Sequence, residues 1–148
     1  MSTGALQSWY GHWQFWALLS AVFAALTAIF AKVGIEAINS DLATLIRTGV
    51  ILVTLALIVV VSGQWQSPST ISERTWLFLV LSGLATGASW LCYFRALKIG
   101  QAAQVAPIDK LSVVLVAIFG VLFLGETLSL RGWIGVTLVG AGAVLLAW

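Results

Sequence analysis

Asp109 and Lys110 stand side by side within a long apolar stretch, Gln104 to Glu126, with Pro107 just before them. An ionisable pair inside hydrocarbon is costly, so its presence there points to a solute path, a proton relay or an ion site. Pro107 either opens a helix at its first position or kinks one that began earlier, and in both cases it acts as a hinge beside the charges. Adjacent helical residues point about 100° apart, so Asp109 and Lys110 are not expected to pair face to face: one can line a cavity while the other meets a neighbouring helix. A plainer reading makes Asp109 a favourable charge in a first helical turn and lets Lys110 snorkel to the interface. Ser112, three residues beyond Asp109, would share its face and hydrogen-bond it. Arg47 is a second cation within an apolar run, facing either the bundle interior or the membrane surface. Trp90 and Tyr93 can stack on a ligand, or serve as packing and belt residues. Arg47, Trp90, Tyr93, Asp109, Lys110 and Ser112 are therefore the candidate substrate-binding or coupling residues.

The elements that must position these side chains follow from hydropathy. Of the 148 residues 61% are hydrophobic and 8% charged, with a mean hydropathy of +1.07, too few charges to coat a water-soluble surface. Runs long enough to cross about 30 Å of hydrocarbon lie at Trp13–Val33, Leu42–Val61, Thr75–Leu97, Ala106–Leu124 and Leu130–Trp148. They are read as helices, because an open sheet cannot satisfy its backbone in lipid and five short strands cannot close a barrel. The expected fold is all-α and polytopic. Residues 12–148 form one five-helix domain, preceded by a short polar segment, 1–11, with no room for a second, soluble domain.

Within the first span, alanines from Ala17 to Ala31 recur at helical spacing and permit close helix contact, and Trp9, Tyr10, Trp13 and Trp16 make an aromatic belt at its start. The short connection Ile35–Ser40 predicts that spans one and two are an antiparallel neighbouring pair. Asn39, Ser40 and Asp41 are suitable caps for the second span. The segment Ser62–Arg74, with Gly63 and Pro68, reads as an exposed loop. Gly83 and Gly87 in span three form a small-residue pair for close packing, and Gly132, Gly135 and Gly142 in span five mark a face that meets another helix, within the chain or on a second subunit. Glu126 is expected to anchor a loop at the interface, and His12 to be interfacial.

Several classes are excluded. The net charge of +2 is dispersed, with no basic cluster for nucleic acid. Cys92 is the sole cysteine, so no intrachain disulfide forms, and no metal site or cofactor is expected. No nucleotide-binding loop and no nucleophile–base pairing is present, so no catalytic residues are expected. The N-terminus lacks the basic region of a signal peptide, and the first apolar run is read as a permanent span.

From Trp90 onward the motifs Tyr93-Phe-Arg-Ala-Leu-Lys-Ile-Gly100, Val105-Ala-Pro107, Phe123-Leu-Gly-Glu126 and Gly132-Trp-Ile-Gly135 resemble the EamA family of the drug/metabolite transporter superfamily. Lys32 at the end of span one and Arg47 within Ala43-Thr-Leu-Ile-Arg47 fit the same pattern. Most such relatives have ten spans in two inverted halves, and this chain is equivalent to one half, as in the short, five-span members. The resemblance implies a secondary transporter subunit in the inner membrane, moving a small metabolite, amino acid or drug by alternating access. It also implies a midplane site between inverted halves, hence an antiparallel homodimer. One half of a heterodimeric transporter, or a non-transporting subunit that stabilises or regulates a partner, are the alternatives. The cationic candidates favour an anionic or zwitterionic substrate, and Asp109 is the candidate for proton coupling. Arg74 and Arg131 lie on one side and Lys32, Arg95 and Lys98 on the other, a weak orientation bias that permits dual insertion; adding Arg47 and Lys110 to the second side argues for one fixed orientation.

Overall fold

A computed structural model describes residues 12–147; Trp9 and Tyr10 of the expected belt, the polar segment 1–11 and Trp148 lie outside the described residues. The helices are α1 (Trp13–Gly34), α2 (Ser40–Val61), α3 (Glu73–Ile99), α4 (Ala102–Asp109), α5 (Ser112–Leu124) and α6 (Leu130–Ala147), with a single 3₁₀ turn, Pro68–Thr70, in the loop between α2 and α3. With α4 and α5 counted as one interrupted span, five helices are long and apolar enough to cross a membrane, and no strand occurs among the described residues. The protein is thus an all-α, multi-pass membrane protein.

Local chemistry sets the helix ends. The Asn39 side chain accepts from the backbone N–H of Asp41 (2.8 Å) and Leu42 (3.4 Å), satisfying donors that the first turn of α2 leaves unpaired. Ser72 does the same for α3 through the N–H of Thr75, at 3.2 Å. Gly63 (φ 66°) turns the chain after α2, and Gly125 (φ 68°) closes α5; both conformations are inexpensive only for glycine. Beyond Gly125, Glu126 folds back over α5: its N–H reaches the Gly120 carbonyl (3.1 Å), and a Cβ added at Gly120 would lie 2.6 Å from the Glu126 carboxylate.

The fourth span begins at Ala102 rather than Ala106, so Pro107 lies inside α4 instead of opening it. Proline offers no N–H and cannot continue the ladder. The chain responds by tightening: Lys110 N–H donates to Pro107 O and Leu111 N–H to Ile108 O, both at 3.0 Å, and Lys110–Leu111 form a turn separating α4 from α5.

α3 is the centre of the arrangement, packing against α1, α2 and α4; α4 also touches α1 and α6, and α5 packs on α6. Spans one and two are neighbours, sharing a core cluster and a groove, but each has its main contacts with α3. Phe94 and Leu97 near the C-terminal end of α3 are buried with Ala31 and Ile35 of α1 and its following turn, and with Ala43 of α2. The small-residue pair on α3 is open among the described residues: a Cβ at Gly83 or Gly87 would meet no neighbouring atom within 4 Å. Gly135 and Gly142 are equally open, whereas Gly140 faces Val114 across the α5–α6 contact. Most large apolar side chains, such as Leu45, Leu52, Phe78 and Leu122, stay exposed, which suits helices bathed in lipid rather than water.

Candidate functional site

α3 places Trp90 and Tyr93 one turn apart, with their rings edge to face at 5.8 Å between centroids. Phe94 meets the other edge of Trp90 at 5.9 Å. From α2, the Arg47 guanidinium lies over the Trp90 ring, its central carbon 3.3 Å from the centroid. The indole face attracts the cation and holds it against α3. Arg47 is therefore half-buried on α3.

On the far side of Trp90, α4 brings in Asp109 and Lys110. Trp90, Tyr93, Asp109 and Lys110 surround a cavity of about 160 Å³, closed by Ala24 and Thr27 of α1 and Ser89 of α3. A larger space of about 620 Å³ adjoins it, walled by the alanine stripe of α1 from Ala17 to Ala28 and by Tyr93, Pro107 and Lys110. The alanines of α1 thus hold open a chamber instead of packing closely along their length.

Asp109 and Lys110 were expected to point apart, and here the structure corrects the sequence. Lys110 Nζ donates to Asp109 Oδ2 at 3.1 Å. The 100° argument holds for regular helix, but Lys110 lies in the turn after α4, and its flexible stem folds back along its neighbour. Side chains of both remain partly accessible, 55% for Lys110 and 35% for Asp109, so the pair can exchange partners with a solute. Ser112 does not join them: it is exposed and makes no hydrogen bond to Asp109, whose carboxylate is engaged by Lys110 across the helix break. Pro107 lines the larger chamber and lies inside α4, three residues before the turn at Lys110.

Depth follows from helix rise. Arg47 is seven residues past Ser40 and Asp109 seven past Ala102, roughly 10 Å along their helices at ~1.5 Å per residue. Trp90 is nine residues before Ile99, roughly 13 Å by the same rise. The ends from which these are counted adjoin one another, so the cluster approaches the middle of a bilayer whose hydrocarbon is ~30 Å thick.

A second set of polar residues at that end had no sequence reading beyond a place in loops or at helix ends. Lys32 Nζ donates to the carbonyls of Leu97 (2.7 Å) and Gly100 (2.8 Å) at the C-terminus of α3. Lys98 returns the contact, its Nζ donating to Ile35 O, Glu36 O and Ile38 O beyond the C-terminus of α1. Arg95 grips Asp41 with Nε at 3.0 Å and NH2 at 2.7 Å. Each cation meets the unpaired carbonyls of a helix end or the carboxylate at a helix start. A lysine in the last turn of each helix is the signal that points to such capping. Among the described residues there is no His, Cys, Asp and Glu cluster that could hold a metal ion.

The EamA-like transporter family matches residues 11–148. This chain belongs to the EamA-like transporter family. It is 73% identical to an uncharacterized transporter in the cobO 3'region of a Sinorhizobium species, over 91% of this chain and 96% of that one. An uncharacterized protein of Methanocaldococcus jannaschii is 27% identical over 88% of this chain and 92% of its own length. A Proteus mirabilis protein named as the probable 4-amino-4-deoxy-L-arabinose-phosphoundecaprenol flippase subunit ArnE is 26% identical over 57% of this chain and 75% of its own. No solved structure matches. The family name and the Sinorhizobium relative's name are those of transporters, and the Proteus relative's is that of a flippase subunit.

Proposed function

We propose that this member of the family is a secondary transporter subunit of the cytoplasmic (inner) membrane. It carries a small metabolite, amino acid or drug-like solute by alternating access, and it works as an antiparallel homodimer. The observation that supports the reading most is the chamber beside Trp90 and Tyr93, with Asp109 and Lys110 at a break in a membrane span. Broken spans near the midplane recur at the binding sites of secondary transporters, because the interruption frees polar groups exactly where irregular backbone is otherwise excluded. In this reading Lys110 binds the anionic part of an anionic or zwitterionic solute, Arg47 adds its charge from behind Trp90 without lining the chamber, the rings of Trp90 and Tyr93 flank the solute's body, and Pro107 provides the hinge. Asp109 takes up and releases the coupling proton: when Asp109 is protonated Lys110 is released to the solute, and when Asp109 is ionised it reclaims Lys110.

Glycines that no helix among the described residues covers, Gly83, Gly87, Gly135 and Gly142, are available to the second subunit. A five-span unit inserted in both orientations would complete the inverted repeat. Labelling Ser69→Cys in a Cys92→Ala background tests this: two populations, each reactive from one side of the membrane, are expected. Uniform labelling from one side would reject the antiparallel homodimer.

A heterodimer is the second reading, favoured by the word "subunit" in the name of the Proteus relative. Purified chain in liposomes separates the two. Solute flux from the single chain supports the homodimer, flux only with a second chain supports the heterodimer, and no flux in either case overturns the transport reading in favour of a non-transporting subunit.

A further inference from the structure

Arg47 is set apart from the other cations of its half of the bundle. Lys32, Lys98 and Arg95 spend their donors on carbonyls or on Asp41, and Lys110 holds Asp109. Arg47 makes no hydrogen bond and no ion pair among the described residues; its contacts are the faces of Trp90 and, at 5.7 Å, Phe94. The ring contacts use none of its N–H donors in hydrogen bonds, and those donors keep accessible surface, a fork that matches a carboxylate or phosphate. A half-buried guanidinium inside a span gains from an anion that takes those donors.

The space in front of Arg47 is equally specific. Because α1 and α2 have their main contacts with α3, a groove of about 340 Å³ runs between them, lined also by Phe94 of α3. Its walls are Phe30, Ile35, Ile38 and Ile46, with Thr27 the one hydroxyl and Arg47 the one charge. No carboxylate lines it, so an ammonium group would find no partner there. The walls suit an apolar body, and the volume lies within the ordinary range of ligand pockets. The groove lies between two helices long and apolar enough to cross a membrane, within reach of an amphiphile in the bilayer.

We propose that the α1–α2 groove is a lateral binding site for an amphiphilic monoanion drawn from the bilayer, its head held by Arg47 and its apolar body lying between Phe30, Ile46 and Phe94. This deepens the transport reading by naming a solute class, and it rests on that reading only for supposing that a solute enters among these helices. Binding is measured apart from flux, so the two can fail separately: loss of flux with binding intact removes transport, and loss of binding with flux intact removes this site.

The test is equilibrium binding of radiolabelled decanoate to the full chain in nanodiscs, with empty discs subtracted. Saturable binding of one decanoate per chain is expected. Arg47→Gln should weaken it roughly tenfold or more, the cost of losing a charge-assisted hydrogen bond. Gly34→Phe should also abolish it by filling the groove, since a Cβ at Gly34 meets nothing within 4 Å. Arg131→Gln, a cation on α6 away from the groove, should leave it unchanged. Decanoate should be displaced neither by acetate, which has the head alone, nor by decyltrimethylammonium, which has the tail with the opposite charge. Binding no greater than in empty discs, equal binding in a folded Arg47→Gln, or equal competition by either probe would overturn the proposal. Should Arg47→Gln fail to fold, undiminished binding in Gly34→Phe would overturn it alone.

Discussion

Two cationic regions lie within a few helical turns of each other and have opposite characters. At the clasped end, Lys32 and Lys98 each reach across to the other's helix terminus, and Arg95 holds Asp41 in a two-pronged ion pair. Deeper in, Arg47 rests on an indole and Lys110 on a neighbouring carboxylate that is itself partly accessible. The residue types are the same, and the difference lies in the acceptors. A helix C-terminus presents carbonyls with no intrahelical partner, so a lysine there is consumed by structure. In mid-span the carbonyls are already used, and a cation is left with rings, a neighbour or a solute. The comparison teaches that position relative to helix ends, more than burial, separates architectural charge from charge available for work.

The largest effect that would break this comparison concerns Asp109. Asp109→Asn should abolish the dependence of proteoliposome flux on a pH gradient while solute binding persists; an unchanged dependence removes Asp109 from coupling. Next is Lys110→Met, which should reduce solute affinity or flux roughly tenfold, the worth of a charge-assisted hydrogen bond, with little change in the unfolding midpoint. Wild-type flux in this variant would return Lys110 to the class of snorkelling residues.

Lys98→Met should behave in the reverse sense. Losing the contacts to three carbonyls should lower the unfolding midpoint by several degrees and leave solute affinity in the folded protein unaltered. A Lys98→Met protein as stable as wild type, but unable to bind solute, would erase the distinction between the two regions. The smallest effect belongs to Asp41→Asn. Arg95 and Asp41 are exposed, with 62% and 45% of their side chains accessible, so the ion pair is screened, and its removal should shift the midpoint only slightly and not at all in high salt.

Five membrane spans were legible without any structure, because a helix in lipid must be apolar over its full length and the breaks between such runs are polar. Asp109 and Lys110 were legible for the same reason: a charge inside an apolar run is conspicuous. Trp90 and Tyr93 were legible as aromatic residues near a span's end, but not their service to opposite faces, Trp90 to Arg47 and Tyr93 to the chamber. Thr27 and Ser89 gave no signal, since small hydroxyl residues are common in apolar helices and only the neighbours of each decide its use.

What the sequence determined by itself was composition along one dimension: which segments cross, where charge interrupts them, and that Pro107 must disturb the backbone near Asp109. Tertiary structure alone decided which helix each face meets. Hydropathy in a membrane says little about facing, because lipid and a neighbouring helix are almost equally apolar, so packing partners are chosen by shape and by a few polar contacts. That is why α1 and α2, joined by a short connection, part around the end of α3, and why the groove that holds Arg47 exists at all. It is also why Lys110 could fold back onto Asp109: the chain tightens into a turn just past Pro107, where the N–H groups of Lys110 and Leu111 donate to Pro107 O and Ile108 O.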